Sequence, residues 1–293
     1  MMLGKMMSRI AGGISCSLGA QPRNGTDQAA GRPAEDWMPV MWPDLEAAIP
    51  PRSFWTGPAD PVCHFLRWVY EYRAYLTLLC DISRTSAVLE LGCNHGRTML
   101  GLLDYLQPPG RYEGLDIMRR HVEWAQAHIQ ADRPHFRFTH ANIHNTAYNP
   151  GGTIAAREYV FPYPDQSFDA IYAASLFTHL VPDSARRYLA ESARVIRPGG
   201  RCLFSFFVLD HYHGPSSTTC DLYTFEHRYD NDPEVAVYSP ANPEAVIAFR
   251  LSAIERMAEA AGLVVERVLP GFWCSDQKRP INEQDLVLFR RPE

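Results

Sequence analysis

The chain has 293 residues, of which 46% are hydrophobic and 21% charged, so folding can bury about three quarters of the surface of the unfolded chain. This composition excludes disorder of the whole chain. The net charge is -5 and only two of the 28 basic residues are lysines, so no cationic block is available to bind a phosphate backbone, and we expect no nucleic-acid partner.

The sequence also argues against a membrane span and against a cysteine framework. It contains no run of the roughly 20 apolar residues that a bilayer-spanning helix needs. Its seven cysteines are scattered and include no Cys-x-x-Cys pair, which disfavours disulfide scaffolds and structural zinc. We therefore expect a cytoplasmic protein in a reducing compartment, with no metal site.

The first 61 residues differ in composition from the rest. Residues 1–35 are rich in glycine and polar residues, which predicts a disordered tail. Residues 36–61 combine tryptophan and phenylalanine with many prolines, so we expect an irregular segment packed on the domain or forming a lid over a pocket. The ordered domain is predicted to span residues 62–293.

Within that domain, helical periodicity alternates with short apolar runs. This alternation predicts an α/β fold with a parallel sheet and helices on both faces, and the last two apolar runs are candidates for an antiparallel pair that closes the sheet. Helices are predicted at 62–80, 97–106, 119–131, from about 183, and at 250–261. Strands are predicted at 86–91, 112–117, 136–142, 168–174, 202–209, 263–269 and 285–289.

The turn after the first predicted strand is the first candidate site, because ligands of open parallel sheets bind at the carboxyl ends of the strands. Gly92 and Gly96 allow the backbone to approach a ligand, and Asn94 tolerates left-handed backbone angles. Asp116 ends the second strand 20 residues beyond Gly96, where a carboxylate can accept hydrogen bonds from both ribose hydroxyls. The combination predicts a nucleoside-binding site.

The motif Glu90-x-Gly92-x-Asn94-x-Gly96 resembles the first motif of class I S-adenosylmethionine-dependent methyltransferases, with asparagine in place of the middle glycine. Segments 161–171 and 194–201 are similar to the regions before the fourth and fifth strands of that family. The resemblance, closest to type 11-like members with small-molecule or sugar acceptors, implies a Rossmann-like, doubly wound, seven-stranded sheet whose last strand is antiparallel.

The resemblance also implies S-adenosyl-L-methionine as cofactor and assigns residues to it. The turn from Glu90 to Gly96 would surround the methionine half, and Asp116 would hold the ribose. The other residues with implied cofactor contacts are Cys93 within the turn, Ile117 and Met118 beside the adenine, Asn142 and Ile143 at the adenine edge, and Ser175 and Leu176 facing the sulfonium.

Histidines supply the candidates for proton transfer and metal binding. A hydroxyl acceptor must lose its proton, and a neutral imidazole at His179 could take it near pH 7; the alternative is a histidine that caps or packs the following helix. Asp210, His211 and His213 could bind a metal, but such groupings arise by chance in short loops, and we expect no metal there.

Residues 210–247 form a long predicted connection rich in aromatic residues. Long ordered loops commonly carry function, so we expect a cap that binds the acceptor through Tyr212, His213, Tyr223 and Phe225. The alternative is an insertion that only covers the edge of the sheet.

The sequence thus predicts a methyltransferase that O-methylates a small-molecule natural product or a sugar hydroxyl by in-line displacement with help from a general base. Two other interpretations stay open: a noncatalytic methyltransferase-like binding or assembly protein, favoured by Asn94 and Asn142, and an NAD(P)-dependent oxidoreductase of the same topology. The sequence leaves open the acceptor, the methylated atom and the oligomeric state.

Overall fold

A seven-stranded sheet organises the chain in this computed structural model, which describes residues 48–51, 62–212, 214, 223–273 and 282–293. The helices are α1 (Val62–Leu79), α2 (Arg119–Ala125), α3 (Pro182–Val195) and α4 (Leu251–Ala261). The strands of the large sheet are β1 (Ala87–Leu91), β2 (Arg111–Asp116), β3 (Phe136–His140), β4 (Phe168–Ala173), β5 (Ile196–Phe206), β9 (Val264–Leu269) and β10 (Asp285–Arg290).

The strands are arranged in the order β3-β2-β1-β4-β5-β10-β9. Strands β1 to β5 pair in parallel, and β10 runs antiparallel to both β5 and β9. This arrangement confirms the predicted Rossmann-like sheet with its last strand antiparallel. The order reverses direction at β1, so the ends of β1, β2 and β4 lie side by side at the switch point where ligands of such sheets bind.

Side chains alternate between the two faces of the sheet, and each face has its own hydrophobic core. On β5, Cys202, Phe204 and Phe206 pack in the core formed with α3 and α4, whereas Leu203 belongs to the core formed with α1 and α2. Helices therefore cover both faces, as predicted.

Two helical regions differ from the sequence prediction. The helix predicted at 97–106 is only a 3₁₀ turn over Thr98–Leu102, and the helix predicted at 119–131 is α-helical as far as Ala125 and continues as a π turn over Gln126–Gln130. Apolar spacing does not distinguish these tighter or wider turns from an α-helix. The end of α4 is as predicted, because Gly262 adopts a left-handed conformation with φ of 82°.

The connection after β5 contains a small antiparallel sheet that the sequence analysis does not predict. Its strands are β6 (His227–Arg228), β7 (Val235–Val237) and β8 (Ile247–Phe249). A bridge between Val208 and Phe249 joins it to the end of β5. The predicted tail 1–35 and most of the segment 36–61 lie outside the described residues; within that segment, Ala48 is buried against the α1 side of the sheet. None of the helices in the described ranges has the length and apolar character needed to span a membrane.

Candidate functional site

A cavity of about 380 Å³ opens at the carboxyl ends of β1, β2 and β4. Its wall is formed by the turn after β1, the end of β2, the residues after β3 and the turn after β4. Residues before β6, between β7 and β8 and just before β10 complete it. The volume is in the range of small-molecule and cofactor sites. The cavity therefore lies where the topology places the ligand of an open α/β sheet.

The turn after β1 is held open by its backbone conformation. Gly92 has a φ of 76° and Asn94 a φ of 51°, both in the left-handed region that glycine and asparagine tolerate best. The backbone N–H of Gly92 donates to the carbonyl of Leu115 on β2 at 2.8 Å. The Asn94 side chain accepts from the backbone N–H of His95 at 2.8 Å. Asparagine at the middle position can therefore adopt the left-handed conformation that this turn requires, in place of glycine.

Asp116 connects that turn to the end of β2. Its Oδ2 accepts from the backbone N–H of Asn94 at 2.7 Å, and its Oδ1 accepts from the backbone N–H of Met118 at 2.6 Å. Burial raises the pKa of the carboxyl group, whereas these backbone donors lower it. A carboxylate has about four acceptor positions, so Asp116, which lines the cavity, retains capacity for ligand hydroxyl groups.

Glu90 has a different environment, although it belongs to the same motif. Its Oε2 accepts hydrogen bonds from Tyr112 at 2.5 Å and from Tyr172 at 2.6 Å, and its Oε1 accepts one from Thr98. The side chain is almost completely buried, and desolvation raises the pKa of its carboxyl group to about 7 despite the three donors. Glu90 therefore anchors the strand end through a buried network next to the cavity.

A second network fixes the turn after β4. Ser175 has a φ of 58°, and its backbone N–H donates to Ser205 Oγ at 2.7 Å. Gln284 completes the network: its Nε2 donates to Ser175 Oγ at 2.8 Å, and its Oε1 accepts from Ser205 Oγ at 2.7 Å. Two other chain segments, at the end of β5 and before β10, thus hold Ser175 at the cavity wall in a strained conformation.

His179 lies at the cavity wall beyond this turn. Its Nδ1 is 3.0 Å from the backbone carbonyl oxygen of Glu244. A carbonyl oxygen can only accept, so Nδ1 carries the proton and Nε2 is the acceptor nitrogen of the neutral ring. Burial lowers the pKa of His179, which favours this neutral form, and the ring of Tyr148 meets the imidazole edge-on with centroids 5.9 Å apart.

The cavity brings together most of the residues that the sequence analysis assigned to the cofactor and to proton transfer. These are Glu90, Gly92, Cys93, Asn94, Asp116, Ile117, Met118, Ile143, Ser175, Leu176 and His179, together with Tyr223 from the predicted acceptor set.

Four other predicted residues do not line the cavity. Gly96 packs in the interior, where an added Cβ would lie 2.8 Å from Met99. Asn142 is exposed, and its amide donates to Thr153 Oγ1 at 2.8 Å. Tyr212 and Phe225 pack on Trp273 in a small aromatic cluster, with centroid distances of 5.9 and 5.7 Å. His213 lies outside the described residues.

His211, which the sequence considers as a metal ligand but for which we expect no metal, makes a structural contact. His211 Nδ1 lies 2.9 Å from Oδ1 of Asp285, a fully buried carboxylate that also accepts from Val208, Gly271 and Trp273. Hydrogen bonding to Asp285 raises the pKa of His211. Asp285 therefore joins the end of β5, the loop after β9 and the start of β10.

Several cavity residues were not identified from the sequence. They are Trp68, Arg97, His144, Asn145, Tyr148, Glu244, Glu283 and Gln284. The Arg97 guanidinium lies over the ring of Trp68, at 4.7 Å from the ring centroid. Of these residues, Arg97 alone could have been assigned to the site from the sequence, because it directly follows the glycine turn. Trp68 lies on α1, and the others come from loops whose contact with the site depends on the tertiary fold.

The segment that forms most of the cavity wall is similar to known methyltransferase domains. Residues 88–200 match the family model described as a methyltransferase domain. This stretch extends from β1 into β5 and includes the first turn, Asp116, Ser175 and His179.

Relatives with this similarity act on different acceptors, as their names state. The chain is 28% identical over 167 residues to phthiotriol/phenolphthiotriol dimycocerosates methyltransferase 1 of Mycobacterium ulcerans (strain Agy99), covering 50% of this chain and 54% of that protein. It is 28% identical over 131 residues to O-methyltransferase cnsE of Penicillium expansum (42% and 39% covered). It is 24% identical over 123 residues to tRNA N(3)-cytidine methyltransferase METTL2 of Gallus gallus (41% and 30% covered).

These matches span about half or less of the relatives' own length. Among solved structures, the fold is similar to that of the PH0226 protein from Pyrococcus horikoshii OT3, with a TM-score of 0.52, 15% identity, and 78% of this chain and 92% of that chain covered. That similarity concerns the fold alone.

Proposed function

We propose that this chain, as a class I S-adenosylmethionine-dependent methyltransferase, transfers the methyl group to a hydroxyl oxygen of a small molecule. The observation that carries the proposal is one cavity that contains the glycine turn, the Asp116 carboxylate and the neutral imidazole of His179. The first two features suit an adenosyl cofactor and the third suits removal of a hydroxyl proton.

The chemistry of the cavity residues fits S-adenosyl-L-methionine. In the proposal, the acceptor capacity that remains on Asp116 binds the ribose hydroxyls. The apolar side chains of Ile117, Met118 and Ile143, all at the cavity wall, pack on the adenine. The backbone from Gly92 to Asn94 and the fixed turn at Ser175 enclose the methionine half. When bound, the cofactor supplies an electrophilic methyl group on its sulfonium.

The protein's share in such an in-line displacement is mainly to align the acceptor and exclude water. His179 holds its proton on Nδ1 through the Glu244 carbonyl, so Nε2 accepts the proton of the acceptor hydroxyl in this proposal. The lowered pKa of His179 keeps the imidazole in the form that can accept it at neutral pH. His179 therefore combines a place at the cavity wall with an unprotonated nitrogen, and a general base needs both.

Two observations support a small acceptor over a nucleic acid. The net charge is -5, which disfavours a phosphate backbone. Arg97 is the single arginine or lysine lining the cavity in the described part of the chain, and its guanidinium lies over Trp68. The name of the Penicillium expansum relative, an O-methyltransferase, is consistent with an oxygen acceptor.

Calorimetry with S-adenosylhomocysteine tests the cofactor assignment first. We expect binding, and we expect none for NAD(P)H at the same concentration. Incubation of the protein with metabolite extracts and deuterated-methyl S-adenosylmethionine then tests transfer, with products 3 Da heavier than the unlabelled ones in mass spectrometry. Cofactor binding without any labelled product would favour the noncatalytic interpretation, and labelled tRNA with unlabelled metabolites would overturn the small-molecule acceptor.

A further inference from the structure

Ser175, Ser205 and Gln284 form a closed ring of hydrogen bonds at the ends of β4 and β5. Three contacts of 2.7, 2.7 and 2.8 Å join them. Ser205 is buried on β5, and Gln284 is buried just before β10. Ser175 and Gln284 also line the cavity. The donors and acceptors of this ring decide where the hydroxyl proton of Ser175 lies.

The contact between Ser175 and Ser205 sets the direction of the ring. A backbone N–H can only donate, so Ser205 Oγ accepts the hydrogen bond from the backbone of Ser175. The Ser205 proton then needs an acceptor of its own, because a buried hydroxyl group without a partner is destabilising. Gln284 Oε1 is that acceptor, at 2.7 Å. The amide nitrogen of Gln284 is therefore the atom that faces Ser175 Oγ.

Ser175 Oγ is consequently an acceptor within the ring. It accepts from Gln284 Nε2 at 2.8 Å, so the ring does not use its own proton. The hydroxyl oxygen of Thr178 lies 3.5 Å from Ser175 Oγ, which is beyond the usual O–H···O distance of about 2.5–3.0 Å. Ser175 therefore keeps a proton that it can donate to a group in the cavity.

Gln284 adds a second donor next to the Ser175 hydroxyl group. Its Nε2 carries two hydrogens, and Ser175 Oγ accepts one of them. The described residues offer no acceptor within hydrogen-bonding distance for the other. The two donor atoms are 2.8 Å apart at the same cavity wall. Such a pair is complementary to an oxygen with free lone pairs, as in a carboxylate or a carbonyl group, and not to an ammonium or a sulfonium group.

The position of this donor pair in the sheet separates it from Asp116. Strand β4 lies beside β1 on the side opposite β2, the strand that Asp116 ends. The turns after β1 and β4 are in contact, because a Cβ added to Gly92 would lie 3.5 Å from Leu176, the neighbour of Ser175. In the proposed binding mode, the donor pair is therefore on the side of the methionine half and the acceptor, away from the ribose.

We propose that Ser175 Oγ and Gln284 Nε2 bind an unprotonated carboxylate or carbonyl oxygen, and that Ser205 is a positioning residue that keeps the Ser175 proton available to the cavity. Two ligands can supply this oxygen: the cofactor, through its methionine carboxylate, and the acceptor. The inference rests on the proposed function, because it concerns the same cavity. It assigns a ligand contact that is separate from Asp116 and His179.

Two variants change the donor pair in different ways. Ser175→Gly removes the hydroxyl group, and glycine tolerates the φ of 58° at this position. Gln284→Glu keeps the size of the side chain, but an ionised carboxylate only accepts, so the Ser175 proton turns towards it and away from the cavity. Protonation of that carboxyl group at low pH restores one donor and one acceptor, which is the pattern of the amide. Gln107→Glu, at an exposed position away from the cavity, is the matched control.

Calorimetry with S-adenosylhomocysteine and with 5′-methylthioadenosine, which lacks the amino-acid part, tests the cofactor as the source of the oxygen. If the cofactor carboxylate binds here, both variants lose at least about fivefold in affinity for S-adenosylhomocysteine at pH 8. Both keep wild-type affinity for 5′-methylthioadenosine. Relative to wild type, Gln284→Glu should recover affinity between pH 8 and pH 5, whereas Ser175→Gly should not.

A matched pair of phenols tests the acceptor as the source. 4′-Hydroxyacetophenone and 4-ethylphenol share the ring, the hydroxyl group and a two-carbon substituent, and they differ in one carbonyl oxygen. Each is titrated into the full chain saturated with S-adenosylhomocysteine, and binding is followed by saturation-transfer NMR. If the acceptor supplies the oxygen, wild type and Gln107→Glu bind the ketone at least about fivefold more tightly. Both cavity variants lose this preference at pH 8, and Gln284→Glu regains it at pH 5.

The expected loss in either experiment, with Gln107→Glu unchanged, supports the inference. The inference is overturned if neither experiment distinguishes the two cavity variants from wild type, or if Gln284→Glu does not recover at pH 5. An equal loss of affinity for both members of a ligand pair also overturns it, because the variants would then act on the shape of the cavity. Failure of the wild-type chain to bind S-adenosylhomocysteine refutes the proposed function instead, and the phenol pair is then compared on the chain without it.

Discussion

The Oδ2 atom of Asp116 accepts a hydrogen bond of 2.7 Å from the backbone N–H of Asn94. This contact joins the end of β2 to the turn after β1, two segments 22 residues apart that form adjacent walls of one cavity. Because the acid fixes the turn as well as facing the cavity, ligand recognition and the shape of the binding site depend on the same side chain.

We expect Asp116→Asn to weaken binding of S-adenosylhomocysteine by about 1.5–3 kcal/mol, since an amide offers one acceptor oxygen in place of two and its NH₂ opposes a backbone donor. Isothermal titration calorimetry measures the change. Glu113→Gln, on the same strand but away from this cavity, is the matched control and should retain wild-type affinity. An unchanged dissociation constant in Asp116→Asn would remove the ribose assignment.

His179→Gln should lower turnover about a hundredfold or more while leaving cofactor affinity within a factor of two, if the imidazole removes the acceptor proton. The lowered pKa of His179 also predicts that wild-type activity falls only at pH values below the usual histidine range near 6.5, because protonation there removes the accepting nitrogen. Rates measured with labelled cofactor across the pH range test both points. His128→Gln, at an exposed site, should be active; equal rates in the two variants would make His179 structural.

Glu90 makes stability depend on pH in a particular direction. Its folded-state pKa of about 7 lies above its ordinary value of 4.5, so the folded chain binds this proton more tightly than the unfolded chain does. The Glu90 proton therefore stabilises the fold at low pH, and this contribution to the free energy of unfolding is lost as pH rises towards and through 7. Glu90→Gln has no carboxyl group to titrate at this position. The free energy of unfolding of the variant, relative to that of wild type, should therefore increase between pH 5 and pH 8 by on the order of 3 kcal/mol.

Urea unfolding of wild type and Glu90→Gln at both pH values gives this difference directly. The comparison cancels the titration of all other groups that the two proteins share. If the stability difference between the two proteins is the same at pH 5 and pH 8, the buried carboxyl group does not titrate in the neutral range.

Asp285→Asn should destabilise the fold by about 2–4 kcal/mol, because an amide NH₂ would face a donor in a site where four donors converge on a carboxylate. Thermal unfolding measures the loss, and Asp132→Asn at an exposed position is the control. The pKa of His211, followed by NMR, should fall in the variant, since Asp285 is the main cause of its elevation. A wild-type melting temperature would contradict this role.

The large sheet could be predicted from the sequence because most of its strands are buried runs with distinct ends. Strand β2 illustrates this, since Leu115 and Asp116 show both the burial of the strand and the polar residue at its end. The small sheet could not be predicted, because β6, β7 and β8 have only two or three residues each, too few to show alternation. Its pairing depends on its attachment to the end of β5.

Only the side of the candidate site formed by β1 and β2 could be predicted from the sequence. The turn after β1 and Asp116 form a local pattern, with a short helical turn and one strand between them, so spacing indicates them. Glu244 contributes through its carbonyl oxygen, a group that every residue possesses, so no sequence pattern could identify it. Gln284 lies 109 residues from its partner Ser175, and only the antiparallel return of β10 brings the two together.

The hydrogen bond between His179 and the Glu244 carbonyl joins the segment that matches the methyltransferase family model to the 3₁₀ turn Pro243–Ala245 between β7 and β8. This turn therefore sets the tautomer of the proposed base as well as forming part of the cavity wall. A sequence change that moves the Glu244 carbonyl oxygen would therefore alter the proposed base and the shape of the cavity together.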